Sequence, residues 1–346
     1  MSLQPSLFAK IADFMRNTRF PSFNQWTKLP DILSIKEKKV LILLLILFAS
    51  SFLFLTSRAY VASTLVVPAT GGTMVEGMVG SPRFLNPVYA EVNDVDRSLT
   101  QLLFSGLLRY DSKGKLLGDL AESYSILEGG RVFEATLKDR VRWHDGNAFD
   151  ADDVLFTVQT IQDPRYKSPV RANWVGVSVQ KVSPLKVRFV LKDPFASFPE
   201  RLTLKILPQH LWEEVSPENF ALSFLNLQPV GTGPYRFLEL KRDKSGSVKE
   251  VRLKAHTRYH LEGPYITNLV FRFYENETAL LKDADAGKLQ SFSVATPNSK
   301  RFRNPALIPY EFSLPRSYSL FFNLEASSPV TKGNVREALS LAIDQE

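Results

Sequence analysis

The chain has 346 residues and no cysteine, which excludes disulfide frameworks, thiolate zinc sites, cysteine nucleophiles and thioether-linked lipid anchors. Its length favours two domains of ordinary size, and its 44% hydrophobic and 23% charged residues are typical of globular rather than disordered proteins. The net charge of +7 would suit a polyanionic partner only if the basic residues were clustered in the folded body.

The basic excess is concentrated at the N-terminus. Residues 1–39 contain seven basic and three acidic residues, a net charge of +4, so the rest of the chain carries only +3. This distribution predicts no nucleic-acid partner and favours a role in membrane topology. We predict a cytoplasmic tail over residues 1–38. Its aromatic residues leave open whether the tail is an amphipathic surface segment or unstructured.

An uncharged apolar run, VLILLLILFASSFLFLTS, occupies residues 40–57 between Lys39 and Arg58. As a helix it would span roughly 27 Å at 1.5 Å per residue, close to the hydrocarbon thickness of a bilayer. The positive flank precedes the run, which predicts that the N-terminus is cytoplasmic and that the rest of the chain is outside. We therefore predict an uncleaved single-pass anchor over residues 39–58, followed by a linker over 59–72.

Two other interpretations of this run are less favoured. A cleaved signal peptide fits poorly with the long polar region before the run and the lack of a small-x-small site after it. A buried core helix fits poorly because the run is apolar on every side and lies beside a basic cluster.

Beyond the linker, short alternating runs of apolar and polar residues predict strands, and helical spacings are interspersed. The predicted strands lie at 131–137, 186–192, 251–255 and 269–273. One predicted helix follows the capping residue Asp150 and stops near Pro164, and another spans 334–343. Without a strict strand–helix–strand repeat, this pattern predicts a mixed α/β or α+β fold. The tryptophans and many phenylalanines are predicted to be core rather than pocket residues.

The tripeptide His144-Asp145-Gly146 is the most site-like motif, because a histidine beside an aspartate could act in acid–base catalysis. However, adjacent residues on an extended chain point in opposite directions, and Asp-Gly is a strong turn signal. We favour a turn between a strand and the helix that Asp150 begins. An enzyme, such as a hydrolase using His144 and Asp145, is the weakest hypothesis because no nucleophile or oxyanion motif accompanies them.

His256 and His260 have a spacing that would suit a metal on a helix. The surrounding pattern predicts a strand and a turn instead, in which such residues lie roughly 13 Å apart and cannot share one ion. We predict no metal site. His210 is predicted to be an isolated capping or surface residue. The Gly-rich run 231–234 ends in Pro234, which removes an amide that an anion cradle would use, and we predict no cofactor.

Several stretches, in a consistent order, resemble the family 5 extracytoplasmic solute-binding proteins, the dipeptide- and oligopeptide-binding components of ABC importers. The most distinctive is PVGTGPYRF at residues 229–237. The others, which together extend the resemblance over about residues 73–346, are LLFSGLLRYDSKGKLLGDLAESY (102–124), LKDRVRWHDGNAFDADDVLFTVQTI (137–161), LKDPFASF (191–198), ILPQHLW (206–212) and SLFFNLEASSPVTKGNVREALSLAID (319–344).

The resemblance implies a two-lobed α/β fold of the periplasmic-binding-protein type, with lobes that close on a ligand and an inserted subdomain. It places the first lobe at about 73–105 and 215–280, the inserted subdomain at about 106–214, and the start of the second lobe at about 281–346. It also implies that the ligand of peptide-binding members is extended and held by main-chain hydrogen bonds.

The resemblance further suggests particular site residues. Gly231, Thr232, Gly233, Pro234 and Tyr235 form the family signature, in which the glycines would be backbone-permissive rather than catalytic. The candidate ligand contacts are Asn86, Tyr318 and Asn323, and no catalytic residue is expected.

The chain also departs from the family pattern. Residues 287–290 lack the expected aspartate, Gly118 replaces a proline, and the chain stops at Glu346 where family members continue for roughly another domain. We expect the second lobe to be incomplete, so the acidic residue that pairs with a peptide's amino terminus cannot be placed.

The resemblance and the apolar run together predict a membrane-anchored binding component of an ABC importer, which delivers a peptide or peptide-like solute to a permease. Residues 40–57 would replace the lipid anchor that a cysteine normally carries. The alternative is a membrane-anchored receptor or scaffold that uses the same fold without transport. Nickel complexes, haem and sugars remain open as ligands.

Overall fold

The computed structural model describes residues 33–65, 67–294, 304, 307–310, 320–325 and 329–343. It divides into two units, Met1–Ala69 and Thr70–Glu346, which are described separately.

Among its described residues, the first unit contains one long helix, α1, at Ile35–Ser63. Ser34 caps its N-terminus, because the Ser34 hydroxyl accepts a hydrogen bond from the Glu37 amide and the Glu37 carboxylate accepts one from the Ser34 amide. None of its residues is buried. The helix includes the predicted segment 39–58 and extends beyond it at both ends, so the first five residues of the predicted linker are helical.

The second unit contains eleven strands and seven α-helices in the part of the chain that the structure describes. The strands are β1 Gly71–Val79, β2 Leu108–Tyr110, β3 Leu116–Gly118, β4 Ala121–Leu127, β5 Val132–Leu137, β6 Val177–Ser183, β7 Lys186–Leu191, β8 Tyr235–Arg242, β9 Val248–Ala255, β10 Ile266–Tyr274 and β11 Ser291–Phe292. The helices are α2 Asp94–Leu103, α3 Ala151–Gln162, α4 Phe198–Arg201, α5 Gln209–Trp212, α6 Pro217–Phe220, α7 Glu277–Asp285 and α8 Gly333–Ala342.

A mixed five-stranded sheet has the order β11-β1-β10-β9-β8. Its first strand, β1, pairs in parallel with β10 and β11, whereas β8, β9 and β10 form an antiparallel meander. In the β1–β10 pairing, Val75 lies opposite Val270. This sheet therefore joins the start of the second unit to residues almost two hundred positions later in the chain.

A second sheet is antiparallel, with the order β4-β5-β7-β6. Phe133, Ala135 and Leu137 of β5 are buried, as the alternation in the sequence predicts. Glu134, on the other face, forms ion pairs with Lys186 and Arg188 of β7. The strands predicted at 131–137, 186–192, 251–255 and 269–273 correspond to β5, β7, β9 and β10, so these predictions are confirmed.

Helix α3 begins where the sequence predicts. Asp150 is its N-cap, with a side chain that accepts a hydrogen bond from the Asp152 amide, and the Asp153 carboxylate accepts one from the Asp150 amide. The helix ends at Gln162, just before Pro164. Its buried face packs beside β6 and β7. The helix predicted at 334–343 is also confirmed, as α8.

One large apolar core runs through the second unit, and a smaller cluster lies around α7. The aromatic rings of Phe133, Trp174, Phe189 and Phe198 pack together beneath the antiparallel sheet, with centroid separations of 4.8–6.2 Å. Trp143, Trp174 and Trp212 are each no more than 3% exposed, which confirms that they are core residues. Trp26 lies outside the described residues.

Candidate functional site

The loop Gly231–Tyr235 lies against the C-terminal end of α2. Gly233 donates its amide hydrogen to the Leu103 carbonyl at 2.9 Å. A Cβ atom added at Gly231 would lie 1.8 Å from the Leu103 oxygen, and one at Gly233 would lie 2.5 Å from the Leu102 oxygen. Neither glycine has a left-handed φ. These positions therefore require glycine because two backbone segments approach closely, and not because of an unusual backbone angle.

His144 holds the same loop from the other side. Its Nδ1 accepts a hydrogen bond from the Gly231 amide at 3.1 Å, and its Nε2 donates to the Gly233 carbonyl at 3.0 Å. Because Nδ1 accepts, the ring is the neutral tautomer with its hydrogen on Nε2. Burial lowers the pKa of His144 to about 4. The ring is thus a neutral structural clamp on the loop.

Asp145 bonds to His210 and Asn147, whereas its neighbour His144 bonds to the Gly231–Tyr235 loop. Its Oδ2 lies 2.7 Å from Nε2 of His210, while its Oδ1 accepts a hydrogen bond from the Asn147 amide in the turn. The turn predicted at His144-Asp145-Gly146 is confirmed, with a left-handed φ of 96° at Gly146. His210 is exposed, which confirms the prediction of a surface residue, and the turn brings Asp145 within hydrogen-bond distance of it. His144 and Asp145 therefore have separate structural partners.

His256 and His260 also have separate partners. The His256 ring packs edge-on against His144, with centroids 4.9 Å apart. The Nε2 of His260 lies 2.8 Å from the Asp119 Oδ1, and both side chains are more than nine-tenths buried. His256 follows the end of β9, as the strand-and-turn interpretation of the sequence predicts.

The rest of the signature loop joins further elements. Thr232 is fully buried, and its hydroxyl accepts a hydrogen bond from the Ser105 amide at 3.3 Å. The Pro234 carbonyl accepts from the His256 amide at 2.8 Å. Tyr235 begins β8 and donates its hydroxyl hydrogen to the Ile266 carbonyl at 2.9 Å. The loop therefore fixes the end of α2 relative to the five-stranded sheet.

A cavity of about 410 Å³ lies directly beside this loop. Its walls come from the segment 87–91, one face of α2, residues 104–110, residues 203–205, and single residues at 119, 234 and 259. Polar and charged side chains form much of the lining, including Arg109, Asp119, Lys205 and Tyr259. Burial raises the pKa of Tyr259 to about 12, so its hydroxyl keeps its hydrogen at neutral pH.

The sequence alone does not single out these cavity residues. Arg109 lies in the three-residue strand β2, and Lys205 and Asp119 come from connections far apart in the chain. No local spacing links them, because they are brought together only by long-range packing. The nearest sequence signal was the Gly231–Tyr235 loop, whose Pro234 forms part of the wall.

The three predicted ligand contacts have different surroundings. Asn86 is fully buried, donates to the Asn226 Oδ1 at 3.0 Å and accepts from the Val88 amide at 2.8 Å. These two hydrogen bonds join Asn86 to Asn226 and to the Val88 backbone. Asn323 is exposed and accepts a hydrogen bond from the Glu325 amide. Tyr318 lies outside the described residues. A ligand-binding role for Asn86, Tyr318 or Asn323 stays a prediction.

Comparison with known families decides the assignment. The family model for bacterial extracellular solute-binding proteins, family 5 (middle), matches residues 115–346. The chain belongs to this family. Oligopeptide-binding protein AppA of Bacillus subtilis (strain 168) is 28% identical over 286 residues, which cover 81% of this chain and 51% of AppA. This family member therefore spans about half the length of the curated relative.

Solved structures show the same fold. AppA of Bacillus subtilis in complex with a nonapeptide superposes with a TM-score of 0.61 and 28% identity, covering 66% of this chain and 45% of AppA. The substrate-binding protein CtaP of Listeria monocytogenes superposes with a TM-score of 0.57 and 32% identity. The superposition covers 64% of this chain and 44% of CtaP. NikZ of Campylobacter jejuni, in complex with Ni(L-His), superposes with a TM-score of 0.56 and 31% identity. The superposition covers 63% of this chain and 42% of NikZ. The mixed α/β periplasmic-binding-protein fold predicted from the sequence is confirmed.

Proposed function

We propose that this family 5 protein is the extracytoplasmic substrate-binding component of an ABC importer and that it binds a peptide or peptide-like solute. The observation that carries the proposal is the match in fold, over 66% of this chain, to AppA with a bound nonapeptide. The other matched structures include a nickel–histidine complex, so fold alone does not select the solute.

The arrangement of the described residues supports a binding role. The Gly231–Tyr235 loop leads into the five-stranded sheet, and the cavity beside the loop has both polar and apolar walls. We propose that the five-stranded sheet belongs to the first lobe and the four-stranded antiparallel sheet to the inserted subdomain. In this scheme the solute lies between two lobes, and closure of the lobes presents it to a permease.

We further propose that α1 anchors the protein in the cell membrane, with the N-terminus cytoplasmic and the binding domain outside. The support is an apolar helix of 29 residues whose basic side chains Lys36, Lys38 and Lys39 lie at its N-terminal end. An anchor of this kind would keep the binding domain near a permease without a lipidated cysteine.

Isothermal titration of the full chain in detergent tests solute binding. The probes are alanine-rich peptides of increasing length, up to a nonapeptide. The control is free alanine at the same concentration. We expect saturable heat with peptides and none with the free amino acid. No saturable heat with any peptide would count against peptide binding.

An uptake assay separates an importer from the receptor or scaffold alternative. Cells with and without the gene are given a radiolabelled peptide that binds the purified chain. Loss of uptake in the deletion strain is expected for an importer. Unchanged uptake, combined with binding in vitro, would favour the receptor or scaffold.

A further inference from the structure

The cavity beside the signature loop contains cationic groups without partners in the described structure. The Nε of Arg109 is inaccessible to solvent and has no hydrogen-bond partner among the described residues. Lys205 also forms no ion pair within the part of the chain that is described, and burial lowers the pKa of its ammonium group despite the opposing effect of Asp119. Arg109 and Lys205 are both half-buried, and partial desolvation of a cation without an anionic partner is costly, so an anionic partner would stabilise both.

The acids in the cavity wall are already engaged. Asp119 is hydrogen-bonded to His260, at 2.8 Å between Oδ1 and Nε2. Glu91 forms an ion pair with Arg97 at 3.8 Å. These contacts leave Arg109 and Lys205 as the cavity's free positive groups within the described structure.

A third unpartnered group lines the same cavity. Thr100 of α2 is only 3% exposed, and its hydroxyl has no hydrogen-bond partner among the described residues. Buried hydroxyl groups are normally hydrogen-bonded, because burying one without a partner costs about 1–3 kcal/mol. Thr100 can donate a hydrogen bond to an oxygen atom that enters the cavity.

We infer that this cavity binds a carboxylate group of the solute, held by the guanidinium of Arg109, the ammonium of Lys205 and the hydroxyl of Thr100. A guanidinium presents paired N–H groups that match the two oxygens of a carboxylate. The cavity, at about 410 Å³, is large enough for an acidic side chain or a chain terminus. The inference rests on the proposed function and specifies that the solute carries a carboxylate, on a side chain or at its terminus.

Titration calorimetry of the full chain in detergent tests the preference for a carboxylate. The probes are Ala-Glu-Ala and Ala-Gln-Ala, each with a free and with an amidated C-terminus, so that a side-chain carboxylate and a terminal carboxylate are distinguished. Wild-type protein should bind the peptide with the recognised carboxylate at least about tenfold more tightly than its amide counterpart. Equal affinity for all four peptides would overturn the inference and leave peptide binding intact.

Matched variants assign the preference to the cavity. Arg109→Gln and Lys205→Met should each reduce the preference for the carboxylate peptide over its amide counterpart to less than about threefold. Arg140→Gln and Lys192→Met are the controls, because both side chains are exposed and lie outside the cavity. These controls should keep the wild-type discrimination. Undiminished discrimination in both cavity variants would overturn the assignment.

Thermal unfolding with sodium glutarate gives a readout that does not depend on peptide binding or on the folding of variants. Compared with sodium chloride at equal ionic strength, millimolar glutarate should raise the melting temperature of the wild-type chain by about 2–4 °C. A glutarate shift without binding of any peptide would support the carboxylate site and refute the peptide proposal. Absence of both the shift and peptide binding would refute both.

Discussion

At the scale of single residues, Gly231 shows how closely the signature loop packs on α2. A Cβ atom at this position would lie 1.8 Å from the Leu103 carbonyl oxygen, which belongs to the backbone and cannot rotate away. We predict that Gly231→Ala lowers the free energy of unfolding by at least about 3 kcal/mol, because the loop and the helix must separate. Urea unfolding followed by fluorescence of the buried tryptophans measures this change.

Gly263→Ala is the matched control for this prediction. Nothing lies within 4 Å of a Cβ atom built at Gly263, and its φ is outside the left-handed region. Its effect should stay within about 0.5 kcal/mol. Equal unfolding midpoints for the two variants would contradict the close approach seen at Gly231.

His144 should make stability depend on pH. Its pKa is lowered from 6.5 to about 4 in the folded chain, because burial disfavours the charged ring. Between these two pH values the unfolded state therefore binds more protons than the folded state. The contribution of His144 to the free energy of unfolding is lost as the pH falls from 6.5 towards 4. Since one pKa unit corresponds to about 1.4 kcal/mol, the loss is at most about 3 kcal/mol.

A non-titrating variant isolates this contribution. His144→Asn should be less stable than wild type at pH 7.5, and the difference should shrink steadily as the pH is lowered to 4.5. The raised pKa of Asp153, about 6, acts in the opposite direction over a similar range in both proteins, so only their difference is informative. A difference in unfolding free energy that is the same at both pH values would refute the neutral clamp.

At the scale of elements, helix α3 depends on one buried carboxylate. Asp153 accepts hydrogen bonds from the Asp150 amide, the Gln209 amide and the Trp143 indole, at 2.9–3.2 Å. Asp153→Asn replaces one accepting oxygen by a donating amide, so at least one of these donors loses its partner. We predict a loss of about 2 kcal/mol in unfolding free energy, measured by urea unfolding.

Asp152→Asn provides the comparison within the same helical turn. Asp152 forms an ion pair with Lys181 at 2.6 Å, but its side chain is 46% exposed. An exposed pair of this kind contributes about 0–1 kcal/mol, so this variant should remain close to wild type. If Asp152→Asn were the more damaging of the two, the buried hydrogen bonds of Asp153 would not be what stabilises the start of α3.

The same helix shows which elements the sequence could predict. The Asp150–Asp153 capping box and the alternation in β5 and β7 are local signals, and the structure confirms all three elements. The pairing of β1 with β10 is not predictable from such signals, because no local pattern states which distant strand will be its neighbour.

The candidate site was predictable only in part for the same reason. The signature loop could be recognised from its residues, but the side chain that clamps it, His144, was predicted only as part of a turn. Arg109 and Lys205 meet in one cavity because α2, β2 and the segment 203–205 pack together. Their chemistry becomes visible only after that packing is known.

At the scale of the whole molecule, α1 has the features of a membrane-spanning helix. Its 29 residues extend about 43 Å, which exceeds the hydrocarbon thickness of roughly 30 Å and leaves room for charged ends. The hydroxyl groups of Ser50 and Thr56 donate back to the carbonyls of Leu47 and Phe52. These internal hydrogen bonds allow polar side chains to lie within lipid without unsatisfied groups.

The absence of cysteine from the sequence permits a direct test of topology. Two single-cysteine variants, Ser6→Cys in the N-terminal tail and Ser112→Cys in the exposed turn between β2 and β3, are expressed in cells. We predict that a membrane-impermeant maleimide labels Ser112→Cys in intact cells or spheroplasts. Ser6→Cys should be labelled only after lysis if the proposed orientation, with the basic N-terminal flank in the cytoplasm, is right.

Carbonate extraction of the same membranes distinguishes an anchor from a cleaved leader. A retained helix keeps the protein in the membrane pellet at its full mass, with the Ser6→Cys label still attached. A soluble, shorter product that lacks this label would refute the anchor while leaving the fold of residues 70–294 unaffected, because β1 begins at Gly71 and the helix supplies none of the buried core residues.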